Sequence, residues 1–428
     1  MNYILINKQI KKNKKKKNWE SLISTYIWIA FLMISPLTSP YFMIISFGIQ
    51  LYRLLRYSLN IALLDIVFTM PFVSVYKAPN GDILLVYYVL LFNIIFLIKK
   101  KVLIYNSTLI IMFTSFIYFI SRIGEKYTTP IFICGGMLFL YLTLTNKFNL
   151  KFEKMMKLFC LSTVISSIYA LITINIFNIS YTNIDLKGRF SGVFIDPNYY
   201  SIFLILSLIG LIDLKSSNKI RNIEFYLEFV SLTFFGALTG SKSFLLLFLL
   251  VILFQVAELI SKRKFFQIFF WMVSICFLVI YIEQKNISVF DLVLKRLNSA
   301  KNVNELTTGR FNIWVRYIDY IFSDLKVIIF GEGLDKILNK GTHNIILEII
   351  YNCGIVGLFF LILFFKSLFS NSKKYYLQHK KISILCYFPI FSLLVSYFFL
   401  QGIATLEFYL LVFISFVCFY LGAKNLKN

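Results

Sequence analysis

Residues 344–365 read NIILEIIYNCGIVGLFFLILFF, a stretch with one carboxylate, Glu348, and no basic residue. About 20 mainly apolar residues are enough for a helix to cross a bilayer, so this stretch predicts a membrane-spanning helix. The rest of the chain has the same character: 59% of the 428 residues are hydrophobic, 15% are charged, and the mean hydropathy is +0.77. Soluble domains are about 45–50% apolar and about 25% charged. The composition therefore excludes a soluble enzyme and indicates one large membrane domain.

Apolar runs bounded by charges or turn residues recur along the chain and predict about 12–14 spanning helices, some of them short or interrupted by proline. We expect an all-α fold: a polytopic membrane helical bundle with one large extracytoplasmic loop. The predicted spans lie at 20–36, 40–57, 60–76, 82–98, 103–121, 127–145, 157–179, 197–213, 225–238, 243–260, 265–282, 344–365, 382–402 and 405–422.

The same pattern divides the chain into four parts. Residues 1–19 form a basic cytoplasmic tail, and residues 20–282 form a membrane bundle that includes an outer loop at 180–196. Residues 283–342 form the large extracytoplasmic loop, and residues 343–428 form the last spans and a short cytoplasmic tail. The basic N-terminus lacks a small-residue cleavage site, so we expect an uncleaved first helix.

The formal net charge of +24 comes from 44 Lys and Arg residues against 20 Asp and Glu residues. When the N-terminus starts in the cytoplasm and every span changes side, roughly two thirds of the basic residues fall on the inner side, as the positive-inside rule requires. The charge is therefore an orientation signal. It gives no reason to expect nucleic acid as a partner, and the expected surroundings are the lipid bilayer.

The cysteines and the intramembrane carboxylates are two further groups of candidate site residues. All six cysteines lie in apolar stretches without a Cys-x-x-Cys pair or a histidine at ligand spacing, which predicts neither disulfides nor a metal site. Four carboxylates in or beside spans are functional candidates by default, and a transporter or flippase of lipid-linked sugars would use such groups. They have no basic partners nearby in the sequence: Asp65, Glu228, Glu348 and Glu407.

A polar segment, 180–198, leads directly into a predicted span. Asp196 can cap the helix that follows, with Pro197 at its first position and Asn198 next to it. Arg189 is expected at the membrane surface, either as an interfacial anchor or as a fixed planar cation for an anionic substrate.

The long loop contains one segment with helical periodicity. Apolar residues recur at helical spacing from Phe311 to Phe322, after Thr307 and Thr308. This pattern predicts an amphipathic helix with a capping hydroxyl at its start, whose apolar face lies on the membrane or on the bundle. Arg310 falls in the first turn, where the helix dipole and a guanidinium can act together on a phosphate.

The chain has two histidines. His379 lies among the lysines of a predicted inner loop and is expected to be solvated. His343 lies at the predicted outer interface, where a neutral imidazole can take a proton from a sugar hydroxyl near pH 7. The alternative is a purely structural histidine at the end of a helix.

These segments together resemble the O-antigen polymerase and O-antigen ligase superfamily, which includes capsular polysaccharide polymerases. The motifs cover the chain from 185 to 365, and their order and spacing agree with a many-span layout. The matching residues are Gly188-Arg189-Phe190-Ser191-Gly192-Val193-Phe194, Asp196-Pro197-Asn198, Thr308-Gly309-Arg310-Phe311-Asn312-Ile313-Trp314, Gly331-Glu332-Gly333, His343-Asn344, Gly354 and Gly357.

The resemblance implies a helical membrane bundle whose substrate is an oligosaccharide carried on undecaprenyl diphosphate, with no metal and no other cofactor. It implies three catalytic residues. Arg189 and Arg310 would hold the donor diphosphate, and His343 would assist attack by the acceptor hydroxyl. The chemistry is reasonable because the carrier diphosphate is a good leaving group, so cationic clamping and a general base are sufficient.

Five further residues are expected to bind substrate. Where relatives often have Arg between two serines, this chain has Lys242, which keeps the charge but loses the bidentate fork. Glu332 either orients a catalytic residue or simply occupies a turn. The other three, Asp196, Asn198 and Asn344, lie within the matching motifs.

We therefore expect a polysaccharide polymerase that joins undecaprenyl-diphosphate-linked repeat units of O-antigen or capsule. Its expected location is the bacterial cytoplasmic membrane, with a cytoplasmic N-terminus and an extracytoplasmic active site. An O-antigen ligase, which moves finished glycan to another acceptor, is an alternative that shares this chemistry. A chain-length regulator protein is expected as a partner by analogy alone.

Overall fold

The structure, a computed structural model, describes residues 19–100, 106–123, 128–145, 152–179, 181, 189–261, 309–334, 336–338, 341–377, 384–398, 400 and 405–425. Within these ranges the chain is helical, and the β-pairing consists of one isolated bridge between Lys77 and Ile83. The predicted all-α, polytopic membrane fold is confirmed.

Fifteen helices are labelled here in chain order. They are α1 (Trp19–Leu37), α2 (Tyr41–Arg56), α3 (Leu59–Thr69), α4 (Leu84–Lys99), α5 (Asn106–Ser121), α6 (Thr128–Thr145), α7 (Phe152–Phe177), α8 (Pro197–Ser216), α9 (Asn222–Leu238), α10 (Lys242–Ser261), α11 (Arg310–Ser323), α12 (Leu325–Phe330), α13 (Ile345–Leu377), α14 (Phe388–Phe398) and α15 (Leu406–Asn425).

Helices occupy every predicted span except 265–282, which lies outside the described residues. Six of the described helices are long and apolar enough to cross a membrane, and five further apolar helices are shorter. The shorter ones fall below the roughly 20 residues that a straight crossing needs. Helix α14, for example, has 11 residues where the sequence predicts a span at 382–402.

Helices α8 and α15 form the centre of the bundle. In the apolar part of α15 94% of the residues are buried, whereas in α1 the share is 17%, so α1 lies at the periphery. A helix that is apolar all round is one that neighbours cover on every side. Glycines allow this close packing: a Cβ on Gly136 would overlap the ring of Tyr409 on α15, and a Cβ on Gly210 would overlap Met156 on α7.

A buried ion pair joins the first three helices. Arg53 on α2 binds both carboxylate oxygens of Asp65 on α3, at 2.8 and 2.9 Å. The same guanidinium donates to the Ser21 carbonyl and the Ser24 hydroxyl of α1, each at 2.8 Å. Asp65 therefore has a basic partner, which its sequence neighbourhood does not reveal. This carboxylate is a structural element of the described fold.

Helix α13 is broken at Gly354, which has φ 67° and ψ −176°. This left-handed conformation suits glycine, and a Cβ at this position would also overlap the backbone of Ile329 at the end of α12. The break divides α13 into a half-helix at 345–353 and a long apolar helix at 355–377. It lets α12 approach the backbone of α13 directly.

The loop after α12 satisfies the carbonyl groups that this break exposes. The backbone N–H of Glu332 donates to the Tyr351 carbonyl at 2.7 Å, and that of Gly333 donates to the Asn352 carbonyl at 2.9 Å. Arg122, after α5, donates from its guanidinium to the Gly331 carbonyl. A broken helix is tolerated at membrane depth only when its freed backbone groups find such partners. The loop and the half-helix therefore form one unit.

Candidate functional site

The predicted site residues lie at one end of the bundle, called the site end here. The C-terminal end of α9 meets the N-terminal ends of α8, α11 and α13 there, as the contacts below show. Each of these helix ends brings a residue from a different part of the sequence. The site is therefore assembled by the fold and is not contained in one segment.

The segment before α8 is held against the turn between α9 and α10. The backbone N–H of Phe190 donates to the Leu238 carbonyl at 3.0 Å, and Arg189 Nε donates to the Thr239 carbonyl at 2.8 Å. Gly192 has φ 58°, and a Cβ there would overlap the ring of Tyr200. The close approach that fixes this segment therefore requires glycine.

Arg189, Asn198 and Asp196 form a continuous hydrogen-bonded chain. Arg189 Nη2 donates to Asn198 Oδ1 at 3.1 Å, and Asn198 Nδ2 donates to Asp196 Oδ1 at 2.9 Å. The same carboxylate oxygen accepts from the Asn198 backbone N–H at 2.8 Å and so caps α8. The predicted cap, with Pro197 at the first helical position, is confirmed. These bonds fix the plane of the Arg189 guanidinium.

Arg310 is the first residue of α11. The residue at the cap position is Gly309, which has φ 80° and no side chain of its own to cap the helix, so the expected hydroxyl cap stays a prediction. The two threonines expected to supply it, Thr307 and Thr308, lie outside the described residues. The guanidinium of Arg310 therefore lies at the positive end of the α11 dipole.

His343 lies in the turn that leads into α13. Its φ of 48° places it in the left-handed region, which costs a residue with a Cβ about 1–2 kcal/mol. The turn is held from both sides: the Thr342 hydroxyl donates to the Asn344 carbonyl at 3.1 Å, and Trp314 Nε1 of α11 donates to the Thr342 carbonyl at 2.9 Å. Helix α11 therefore fixes the position of the His343 turn.

Electrostatic interactions connect these groups. Burial lowers the pKa of His343, the positive charge of Arg310 lowers it further, and Asp196 opposes both effects. Burial also lowers the pKa of Arg310, while Asp196 and Tyr199 raise it. The arginine stays charged because its pKa begins above 12, and His343 is held in its neutral form near pH 7.

The fold therefore brings together five residues that are up to 154 positions apart in the sequence. The Asn198 amide links the Arg189 guanidinium to the Asp196 carboxylate, and this carboxylate interacts electrostatically with the Arg310 guanidinium and the neutral His343 imidazole. This set is called the site cluster: Arg189, Asp196, Asn198, Arg310 and His343.

Glu332 lies apart from this set in its described contacts. Its carboxylate accepts a hydrogen bond from the Tyr320 hydroxyl of α11 at 3.0 Å, which raises the pKa of Tyr320. Its backbone N–H binds the carbonyl of Tyr351 on α13. Of the two predicted roles, the geometry favours a turn residue that braces α11 against α13.

Asn344 and Lys242 both lie at helix starts. Asn344 is buried, and its amide oxygen accepts from the backbone N–H groups of Ile346 and Leu347 at 3.0 and 3.1 Å. These bonds make it the cap of α13. Lys242 begins α10 and is partly buried, three positions after the Thr239 carbonyl that holds Arg189. It therefore lies near the site cluster along the chain.

Three contributors were not predicted from the sequence. Thr239 acts through a backbone carbonyl, which no side-chain pattern reveals. Tyr199 interacts with Arg310 and lies directly after a matching motif, so its position was a usable signal. Trp314 belongs to a matching motif, but its bond to the Thr342 carbonyl was not predicted, although an indole N–H needs a partner when it is partly buried.

No protein-family model matches this chain. The chain is similar to the ComP-specific O-oligosaccharyltransferase of Acinetobacter baylyi. The two proteins are 26% identical over 369 aligned residues, which span 77% of this chain and 64% of the relative. The chain thus covers less than two thirds of the relative's length.

This similarity supports the resemblance to the superfamily that contains the O-antigen ligases, and it does not single out the polymerases. The relative is a glycan-transferring enzyme, and its reaction agrees better with a ligase than with a polymerase. The expected chain-length regulator gains no support from it. The chain is an integral membrane protein that is similar to an enzyme of oligosaccharide transfer.

Proposed function

We propose that this protein is a membrane glycosyltransferase of the ligase type. It transfers an oligosaccharide from a polyprenyl-diphosphate carrier to an acceptor hydroxyl, at the extracytoplasmic face of a bacterial cytoplasmic membrane. The observation that carries the proposal is the site cluster, in which Asp196 connects Arg189, through Asn198, with Arg310 and the neutral His343 at one end of a membrane bundle.

The two arginines bind the diphosphate of the donor. Arg189 presents a guanidinium whose plane is fixed by Thr239 and Asn198. Arg310 adds a second cation at the N-terminal end of α11, where the helix dipole also favours an anion. Charge develops on the leaving diphosphate as its bond to the sugar breaks. Fixed cations in a partly buried site stabilise that charge more than water does.

His343 acts as the general base. The acceptor oxygen forms a bond to the anomeric carbon of the donor sugar, and the bond from that carbon to the diphosphate oxygen breaks, with its electron pair leaving on the diphosphate. The proton of the acceptor hydroxyl passes to His343. Burial and Arg310 keep the imidazole neutral, so it can accept this proton. Asp196 then stabilises the imidazolium by its opposite charge.

A repeat-unit polymerase is the second candidate. It performs the same bond exchange with another lipid-linked unit as the acceptor, and the motifs at 188–198 and 308–314 do not separate a polymerase from a ligase. The site cluster serves either acceptor. The relative is named as an oligosaccharyltransferase, which agrees better with ligase-type transfer than with repeat-unit polymerisation, so the ligase is placed first.

The test is a reconstituted transfer assay together with a deletion strain. Wild-type protein in liposomes should transfer glycan from a polyprenyl-diphosphate donor, and Arg310→Ala and His343→Asn should lose transfer by at least about 100-fold. Asn tolerates positive φ, so His343→Asn removes the base without changing the turn.

The deletion strain separates the candidates. A ligase leaves long polymer on the carrier that never reaches its acceptor, whereas a polymerase leaves single repeat units. Near-normal glycan transfer by both site variants would contradict the catalytic assignment of Arg310 and His343. No transfer by the wild-type protein in liposomes would favour the transporter alternative.

A further inference from the structure

Helix α11 has three faces where the sequence predicts two. At 100° per residue, one face carries residues that are buried or packed against the bundle, centred on Tyr317 and Ile321. A second face carries exposed polar residues, Arg316, Asp319 and Ser323. The third is an exposed apolar stripe, called the α11 stripe here: Val315, Ile318 and Phe322.

The α11 stripe is apolar and open. The side chains of Val315, Ile318 and Phe322 are 38%, 40% and 73% exposed, and Leu325, which begins α12, is 69% exposed. On a helical wheel the stripe residues fall within about 60° of one another, between the packed face and the polar face. A helix in water would place charges here, because contiguous exposed apolar patches on soluble surfaces mark contact sites.

The stripe continues the lipid-facing surface of the bundle. Trp314, next to the stripe on α11, packs edge-to-face against Phe398 at the end of α14, with ring centroids 5.8 Å apart. On α14, Phe391, Leu394 and Phe398 recur at helical spacing and are 49%, 61% and 41% exposed. In a membrane protein such a row faces lipid. The α11 stripe therefore adjoins an exposed apolar row of α14 that suits contact with lipid.

We infer that α11 lies in the plane of the membrane surface, with the α11 stripe inserted among the lipid headgroups and upper acyl chains. The order of the three faces around α11 fits this position: the packed face contacts the bundle, the α11 stripe contacts the bilayer, and the polar face contacts water. Interfacial helices of this kind bury their apolar face about 5–10 Å into the headgroup boundary. The occupant of the stripe is thus the bilayer itself.

The placement has a consequence for the site, and this consequence rests on the proposed function. Arg310 is the first residue of α11, so an in-plane helix holds its guanidinium at the level of lipid phosphates. The anion that it binds is then one presented by a membrane lipid. A membrane-bound α11 also fixes the position of the His343 turn, because Trp314 of α11 donates a hydrogen bond to the carbonyl of Thr342.

Spin-label depth measurements test the placement directly. Single cysteines at Ile318 and Phe322, and at Arg316 and Asp319 as matched controls on the same helix, are labelled in a variant whose six native cysteines are replaced by alanine. Leu394→Cys gives the lipid-facing reference. In liposomes, labels at 318 and 322 should collide several-fold more with oxygen than with a water-soluble nickel chelate, as at 394. Labels at 316 and 319 should show the reverse.

Two results would overturn the inference. Nickel accessibility at 318 and 322 equal to that at 316 and 319 would place the stripe in water, and dipolar broadening confined to 318 and 322 would indicate a second copy of this chain. If the cysteine-free variant fails to insert into the membrane, a photo-crosslinking amino acid is placed at the same four positions of the wild-type chain. Lipid adducts at 318 and 322 would support insertion of the α11 stripe, and their absence would contradict it. Helix depth and glycan transfer are measured separately, so each can fail alone.

Discussion

Arg189 donates to the amide oxygen of Asn198 at 3.1 Å, although the two residues lie on opposite sides of the bend that starts α8. The amide nitrogen of Asn198 is used at the same time by Asp196, the cap of α8. One side chain therefore fixes the direction of a guanidinium and the start of a central helix. Asn198 is a positioning residue by this geometry, since it acts through Arg189.

Replacing Asn198 with Ala should weaken donor binding while leaving the protein folded. A hydrogen bond to a charged group contributes about 1.5–3 kcal/mol, so we expect the donor KM to rise by about 10- to 100-fold. The value of kcat should change less, because His343 is not touched. Steady-state transfer kinetics with a polyprenyl-diphosphate donor give both parameters.

Asn175→Ala on α7 is the matched control, because this asparagine is exposed and binds only a carbonyl of its own helix in the described contacts. It should leave KM and kcat unchanged. An unchanged KM in Asn198→Ala would mean that the orientation of Arg189 does not matter for the donor.

The pH dependence of His343 should move in opposite directions in two variants. Its pKa is lowered by burial and by Arg310, so the acid limb of kcat/KM should lie below the ordinary histidine value of about 6.5. Arg310→Gln removes a positive charge and should shift the limb to higher pH. Asp196→Asn removes the opposing negative charge and should shift it to lower pH, while Asn still caps α8.

Chemical modification measures the pKa of His343 in variants that have too little activity for kinetics. Diethyl pyrocarbonate modifies neutral imidazole, and in a His379→Gln background His343 is the one remaining histidine. The pH midpoint of its modification should follow the same two shifts. Shifts of the same sign in Arg310→Gln and Asp196→Asn would contradict the electrostatic arrangement described for the site cluster.

The sequence predicted the helices well because hydrophobic runs and charge boundaries are local properties. It also predicted the cap at Asp196 and the helix at α11 from local spacing. It could not show that α11 has two apolar faces, because the burial of Tyr317 and the exposure of Ile318 depend on the packing of α12 and α13. The pairing of Asp65 with Arg53 and the bond from Arg189 to the Thr239 carbonyl are likewise set by the tertiary fold.

The Arg53–Asp65 pair should be structural and not catalytic. Asp65→Asn leaves a buried guanidinium without its counter-charge, so we expect a loss of about 3–5 kcal/mol of stability. An unchanged donor KM in the folded fraction should accompany it. Apparent Tm in detergent and transfer kinetics measure the two effects.

The exposed pair between Arg221 and Glu224, 3.5 Å apart, provides a control. Glu224→Gln should cost less than about 1 kcal/mol, because water screens this pair. The double variant Arg53→Met with Asp65→Leu should recover much of the stability lost in Asp65→Asn. Loss of transfer in a double variant that is as stable as wild type would instead assign the pair a functional role.

Gly354 should be among the least replaceable glycines of the described chain. Alanine there must adopt φ 67° and also displace the backbone of Ile329, so we expect Gly354→Ala to cost at least about 2 kcal/mol. The folded fraction should also transfer glycan more slowly, because the half-helix at 345–353 carries His343 before its first turn.

Gly48→Ala in α2 is the control. It should stabilise the protein, since a Cβ there meets no atom within 4 Å and alanine favours a helix. Thermal unfolding and transfer kinetics of both variants check this, and equal stability of Gly354→Ala and wild type would show that the break in α13 does not need its left-handed residue.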